Sequence, residues 1–200
     1  MFPSRLPSLI VAVLLFLGYS IPAFGQRGAI TVRRNLAELT DRADLIVRGF
    51  VSSAKFEPHP EFSNLKTVVV TLQVKETLKG RHSATYTFRQ FIWDIRDRFN
   101  TAGYQKGQDL LLLMNKPSAI GLTSPVGLEQ GRFRVIRDAA GNKFAVNGHA
   151  NAALFDGMQP LLRGRNIRLS PTVSKTIQQR QGAVRVADLS EVIRALAAKR

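Results

Sequence analysis

The sequence predicts a mainly β protein, in which five or six antiparallel strands form a closed or partly closed barrel with a short helix before them and another at the C-terminus. Three observations predict it. Several stretches alternate apolar and polar residues with a period of two, and clusters of Gly, Pro, Asn and Ser separate them. No segment of helical period lies between consecutive strands, which argues against the βαβ repeat of a parallel sheet. Helical spacing is confined to the two ends of the folded region.

Residues 1–25, MFPSRLPSLIVAVLLFLGYSIPAFG, read as an export signal. A head carrying Arg5 precedes an unbroken apolar run from Leu9 to Leu17, Gly18 and Pro22 then break the helix, and Ala23-Phe24-Gly25 places small residues at both positions that a signal peptidase inspects. Cleavage after Gly25 leaves Gln26 first. A retained anchor is the competing reading, but a membrane-spanning helix needs roughly 20 apolar residues and this run stops well short. The chain has no cysteine, so it forms no disulfide and cannot take a thioether-linked lipid. The expectation is an untethered exported protein, periplasmic or extracellular, with no stable membrane anchor after cleavage.

Beyond the signal, Asn35 is placed to cap a short helix carrying Leu36 and Leu39 on one face and ending near Ala43. Leu45–Val51 is the first strand, with Gly49 at a bulge or tight bend. Residues 55–65 read as a loop because of Pro58, Pro60, Ser63 and Asn64. Val68, Val70, Leu72 and Val74 then alternate with Val69, Thr71, Gln73 and Lys75 in a strand that ends at Lys79-Gly80. A third run, Ala84–Trp93, puts Tyr86, Phe88, Gln90 and Ile92 on one side and Thr85, Thr87, Arg89, Phe91 and Trp93 on the other.

After a polar loop, Asp94–Lys106, the segment Asp109–Met114 carries four consecutive leucines, which cannot all face one way. It is therefore a strand covered on both faces. Gly131–Arg137, with Phe133 and Val135 inward, and Lys143–Asn147, with Phe144 and Val146 inward, make a hairpin around Gly141. Residues 149–185 have weak periodicity and many turn formers and read as a mostly irregular extension. Leu189, Ile193 and Leu196 then mark a C-terminal helix, with Asp188 near its start and Lys199-Arg200 at its finish. The expected organisation is a signal at 1–25, a barrel domain at 26–148, the extension at 149–185 and the helix at 186–200.

The chain of 200 residues carries a net charge of +15, and losing residues 1–25 removes only Arg5, leaving +14. Such a charge attracts phosphates, anionic lipids or acidic glycans through salt-sensitive forces. The cations are dispersed in small groups such as Arg132, Arg134 and Arg137, and never form the basic block of a nucleic-acid arm. Surface solubility and a specific anionic partner both remain open.

The phrases ADLIVRGFV (43–51), TVVVTLQVKETLKG (67–80), YQKGQDLLLLM (104–114) and GLEQGRFRVI (127–136) resemble the strands of netrin-module and tissue-inhibitor-of-metalloproteinase-like proteins. More closely, they resemble a group of exported bacterial proteins of unassigned role with that pattern. The resemblance covers roughly residues 36–148 and implies a five-stranded OB-type barrel flanked by helices. One departure limits it. The animal inhibitors chelate a protease zinc through an N-terminal cysteine, and this chain has none, so metalloprotease inhibition does not transfer.

Catalytic patterns are sparse. His59, His82 and His149 lack metal-ligand spacing, and no nucleophile elbow, phosphate-binding loop or dinucleotide fingerprint occurs, so no cofactor, metal site or catalytic residue is expected. Asp94 and Asp97 lie beside Arg96 and Arg98, which favours ion pairing over acid–base work. Three readings follow: an exported non-enzymatic binding or structural module for an unknown ligand, protein or envelope component; a binder of anionic envelope polymers or lipids; and a hydrolase whose site escapes recognition. The second would use Arg89, Phe91 and Trp93 on one strand face with Arg96 and Arg98 just beyond, a pairing of aromatic and cation that stacks sugars or bases and neutralises anions. Export disfavours nucleic acid. A second core under the C-terminal helix is the competing account of the same aromatic face.

Overall fold

The chain enters the structure, a computed structural model describing residues 32–198, just before a helix that is fixed by its own first turn. In α1 (Leu36–Arg42) the Glu38 N–H donates to Asn35 Oδ1 at 3.0 Å and the Asn35 N–H donates to Glu38 Oε2 at 3.1 Å, a reciprocal capping box. Leu36, Ala37 and Leu39 are buried beneath it. The expected signal peptide, its cleavage point and the terminal Lys199-Arg200 lie outside the described residues.

Seven strands follow, β1 (Leu45–Pro58), β2 (Lys66–Lys79), β3 (Thr85–Phe91), β4 (Asp109–Met114), β5 (Arg132–Arg137), β6 (Lys143–Asn147) and β7 (Val184–Arg185). They form one sheet in the order β3-β2-β1-β4-β5-β6-β7, with every neighbouring pair antiparallel. Among the described residues three further α-helices follow, α2 (Met158–Gly164), α3 (Pro171–Thr176) and α4 (Val186–Ala198). Among the described residues no helix is long and apolar enough to cross a membrane.

Two apolar clusters form the core, and β4 feeds both. Leu111 and Leu113 pack with Ile46, Phe133 and the helices, including Leu189, Ile193 and Leu196 of α4. Leu110, Leu112 and Met114 face the other way and pack with Val47, Val51, Val68, Val70, Leu72, Phe88 and Tyr104. Successive strand residues point to opposite faces, so an unbroken leucine run needs cover on both sides, as its sequence predicts. Gly49 also sits at an irregularity: the register with β2 slips between Arg48 and Gly49, and a Cβ on Gly49 would stand 2.3 Å from the Gln73 carbonyl oxygen.

Three expectations are corrected. The sheet is not closed, with β3 and β7 at its edges, and it has seven strands in place of five or six. Residues 122–125 reach back from β4 toward β3 only through isolated bridges, Met114 with Pro125 and Arg89 with Leu122. The loop expected at 55–65 is shorter, because β1 continues to Pro58 and pairs through Lys55 with Val69 and through Pro58 with Lys66. A proline at a strand's last residue removes no donor that the hairpin needs, so cross-strand pairing overrides its breaker signal.

In β6 the buried face holds Ala145 and Asn147, while Phe144 and Val146 are half-buried. Asn147 is tolerated inside because Nδ2 donates to the Gln130 carbonyl at 3.1 Å and Oδ1 accepts from the His149 and Asn151 amides at 3.0 and 2.8 Å. Residues 149–185, mostly outside regular elements, also hold α2, α3 and β7. Helices of seven and six residues complete too few turns to show a period, although Ser170 caps α3 with Pro171 at its first position, a signal present in the sequence.

Candidate basic-aromatic face

Pairing of β3 with β2 sets the candidate face, since Arg89 lies opposite Val69 and Phe91 opposite Thr67. Alternation sends Phe88 into the second cluster and turns Arg89 and Phe91 to the other side. Trp93 follows the end of the strand, where its ring meets Phe91 edge-to-face with centroids 5.1 Å apart. It is 68% exposed. The expected cover by the C-terminal helix is not there: the apolar residues of α4 are spent on the cluster around Leu111 and Ile46.

A cleft of about 330 Å³ runs beside the two rings, and Leu122, Thr123 and Leu128 close its other side. The Thr123 amide donates to the Arg89 carbonyl at 2.9 Å, holding this segment against β3. His59 steadies the same end of the sheet. Its Nδ1 accepts the Glu61 and Phe62 amides at 3.2 and 3.3 Å, which leaves the proton on Nε2 to be donated to the Ile120 carbonyl at 2.8 Å. His59 is thus a buried joint between the β1–β2 loop and the turn after β4.

The cations divide by role. Arg89 is committed to the fold, since Nη1 donates to Thr67 Oγ1 at 2.8 Å and to the Pro58 carbonyl at 3.2 Å, and Nη2 stands 3.5 Å from the Glu57 carboxylate. Arg96 is clasped by Asp94, whose Oδ1 also accepts the Arg96 amide at 2.9 Å as the cap of a short 3-10 turn at Ile95–Arg98. The hydrogen bond and charge of Asp94 hold the Arg96 guanidinium further above its ordinary range. Asp94 is therefore an ion-pair and capping residue. Arg98 lies between two rings, 5.5 Å from the Phe56 centroid and 5.2 Å from that of Phe99. Of the three it makes no ion pair among the described residues.

The structure thus joins Phe91 and Trp93 ring to ring, leaves Arg96 and Arg98 on the short turn that follows, with Arg98 against Phe56 and Phe99, and withdraws Arg89 into a supporting role. Phe99 is 83% exposed, and Ile95 of the same turn is exposed too. The sequence placed Phe99 in a polar loop with nothing to show whether its ring turns inward. No group of three or more histidine, cysteine or acidic side chains among the described residues is placed to hold a metal ion. The Phe91–Trp93 pair presents aromatic faces on which a flat or apolar ring can stack, and the guanidinium groups of Arg96 and Arg98 lie on the turn that follows. Comparison with protein families, with curated proteins and with solved structures finds no match to this chain.

Proposed function

We propose that the protein is an exported, non-enzymatic binding module that grips an anionic envelope polymer through Trp93, Phe91, Arg96 and Arg98. The observation that carries this reading is the 68% exposure of Trp93 beside a cleft that no residue of α1–α4 lines. Large aromatic side chains are rarely left in water without a partner, and stacking on a ring contributes roughly 1–3 kcal/mol per base or comparable flat group. The net charge of +14 left after cleavage supplies the long-range attraction, and Arg96 and Arg98 on the turn after Trp93 supply the local one.

Export rests on residues 1–25 and cleavage after Gly25. A partly closed OB-type barrel is the proposed frame, supported by the isolated parallel bridge of Leu122 with Arg89 of β3 and the isolated antiparallel bridge of Pro125 with Met114 of β4, which link β3 to β4 through residues 122–125 without continuing the ladder. In that frame the candidate face lies where β3 meets this segment.

Salt elution from immobilised heparin, an anionic glycan, tests the reading on residues 26–200. Trp93→Ala and Arg98→Ala are expected to elute at clearly lower salt. Arg137→Ala and Arg163→Ala, exposed cations elsewhere, each remove the same charge as Arg98→Ala and are expected to shift elution less. Equal shifts for all three arginine variants, with none for Trp93→Ala, would mean that net charge alone holds the polymer.

A further inference from the structure

A second and larger cleft, of about 550 Å³, opens along α4. Val186, Ser190 and Arg194 line it at spacings of four residues, one face of the helix, together with Ala187. The Ser190 residue is 3% exposed, and its hydroxyl has no hydrogen-bond partner. A serine within a helix ordinarily returns its hydroxyl to the carbonyl four residues back or reaches water. A buried hydroxyl without a hydrogen-bond partner costs free energy.

The direction of that hydroxyl has a physical sense. Side chains on a helix lean toward the preceding turn, which here is Val186 and Ala187, where the first amides lack intrahelical acceptors and the helix carries partial positive charge. Asp188 in this turn is occupied elsewhere, accepting the Thr176 hydroxyl at 2.7 Å.

The charges around the cleft are unbalanced at this end. Arg48 is bound to Asp109 and Arg194 to Glu76, so those two cations are already neutralised. Lys143 and Arg185 also line the cleft, and neither makes an ion pair among the described residues. Pairing of Phe144 with Arg185 places the two on neighbouring strands, one residue apart in register. Asp138, whose charge Arg185 feels, has its carboxylate taken by the Asn142 amide and side chain, each at 2.8 Å.

We propose that this end of the cleft is a phosphate-binding site, in which the Ser190 hydroxyl, the first amides of α4, Lys143 and Arg185 receive a free phosphate or the phosphate group of a small monoester. A tetrahedral oxyanion matches what is assembled: a hydroxyl donor, helix N-terminal amides and two cations. The cleft falls within the size range of small-molecule sites, with room beyond the phosphate for an organic part. This site is separate from the basic-aromatic face and stands whether or not that face binds a polymer.

An NMR titration of residues 26–200 at constant ionic strength, first with inorganic phosphate and then with glycerol phosphate, tests it. Saturable shifts of the Val186, Ala187 and Ser190 amides are expected, with ~10-fold weaker binding in Lys143→Gln and in Arg185→Gln. Ser190→Ala separates binding from packing. It is expected to weaken binding several-fold while leaving the melting temperature equal or higher, because an unpartnered hydroxyl is removed. Tighter binding of glycerol phosphate assigns the rest of the cleft to the organic part of a monoester, and equal binding assigns the site to the free ion. Unsaturable shifts spread over surface cations, or unchanged binding in all three variants, would overturn the proposal.

Discussion

Removing the Asp109 charge tests how β1 and β4 are held together. Arg48 Nη2 lies 2.5 Å from Asp109 Oδ2 and Nε lies 3.1 Å from Oδ1, a two-point pairing whose side chains are only 10% and 9% exposed. Solvent screens it little. Asp109→Asn leaves the guanidinium buried beside a neutral amide, and breaking a buried pair on one side costs about 3–5 kcal/mol. In a protein of this size that corresponds to a melting temperature lowered by about 6–20 °C.

Urea unfolding followed by circular dichroism reads the change as a lower midpoint at unchanged slope. Arg48→Met combined with Asp109→Leu is expected to recover most of the loss, since a well-packed apolar pair replaces a buried ionic one at little net cost. A loss below about 1 kcal/mol for Asp109→Asn would show a solvent-screened surface pair and refute the reasoning.

Gly49→Ala is expected to destabilise by about 1–3 kcal/mol, because the new methyl meets the Gln73 and Val74 backbone and neither can yield without parting β1 from β2. By contrast Gly164→Ala, in α2 with open space around it, is expected to stabilise by about 0.4–1 kcal/mol in the same unfolding assay, and the reverse order would be contrary to the register described. Burial raises the Tyr104 phenol to about 12 against the opposing charge of Arg132, and burial with the Asp44 carboxylate raises Tyr86 to about 12. An unfolded phenol titrates near ~10, so the stability from these neutral groups is full below that pH and is lost as pH climbs through 12. Ultraviolet titration of residues 26–200 is expected to show no phenolate forming near the ordinary value while the protein stays folded, and early phenolate absorbance would contradict the burial of both rings.

Local signals carried α1 and β4 into the structure almost unchanged. Asn35 and Glu38 satisfy each other's amides within one turn, and the leucines at 110–113 demand two covered faces whatever surrounds them. What escaped the sequence depends on partners distant along the chain. Pro58 joins β1 because Lys66 lies opposite it, and Asn147 turns inward because Gln130, His149 and Asn151 complete its hydrogen bonds. The candidate face shows the same division. Phe91 and Trp93 share a side by strand alternation and their rings meet, but Arg89 is held by Glu57, Thr67 and Pro58, and Arg98 turns to Phe56 and Phe99. Spacing could not reveal the unpartnered Ser190 hydroxyl either, since its burial depends on which elements pack around α4.

Trp93 is the only tryptophan of the chain, so its fluorescence reports on the proposed face without labelling. Acrylamide quenching of residues 26–200, with and without saturating heparin at a salt concentration where the protein is retained, is the most direct measurement. The proposed polymer grip predicts strong quenching of the free protein and clear protection in the complex, with protection reduced by Arg98→Ala. Unchanged quenching while heparin is demonstrably bound would place the polymer elsewhere and contradict the role given to Trp93.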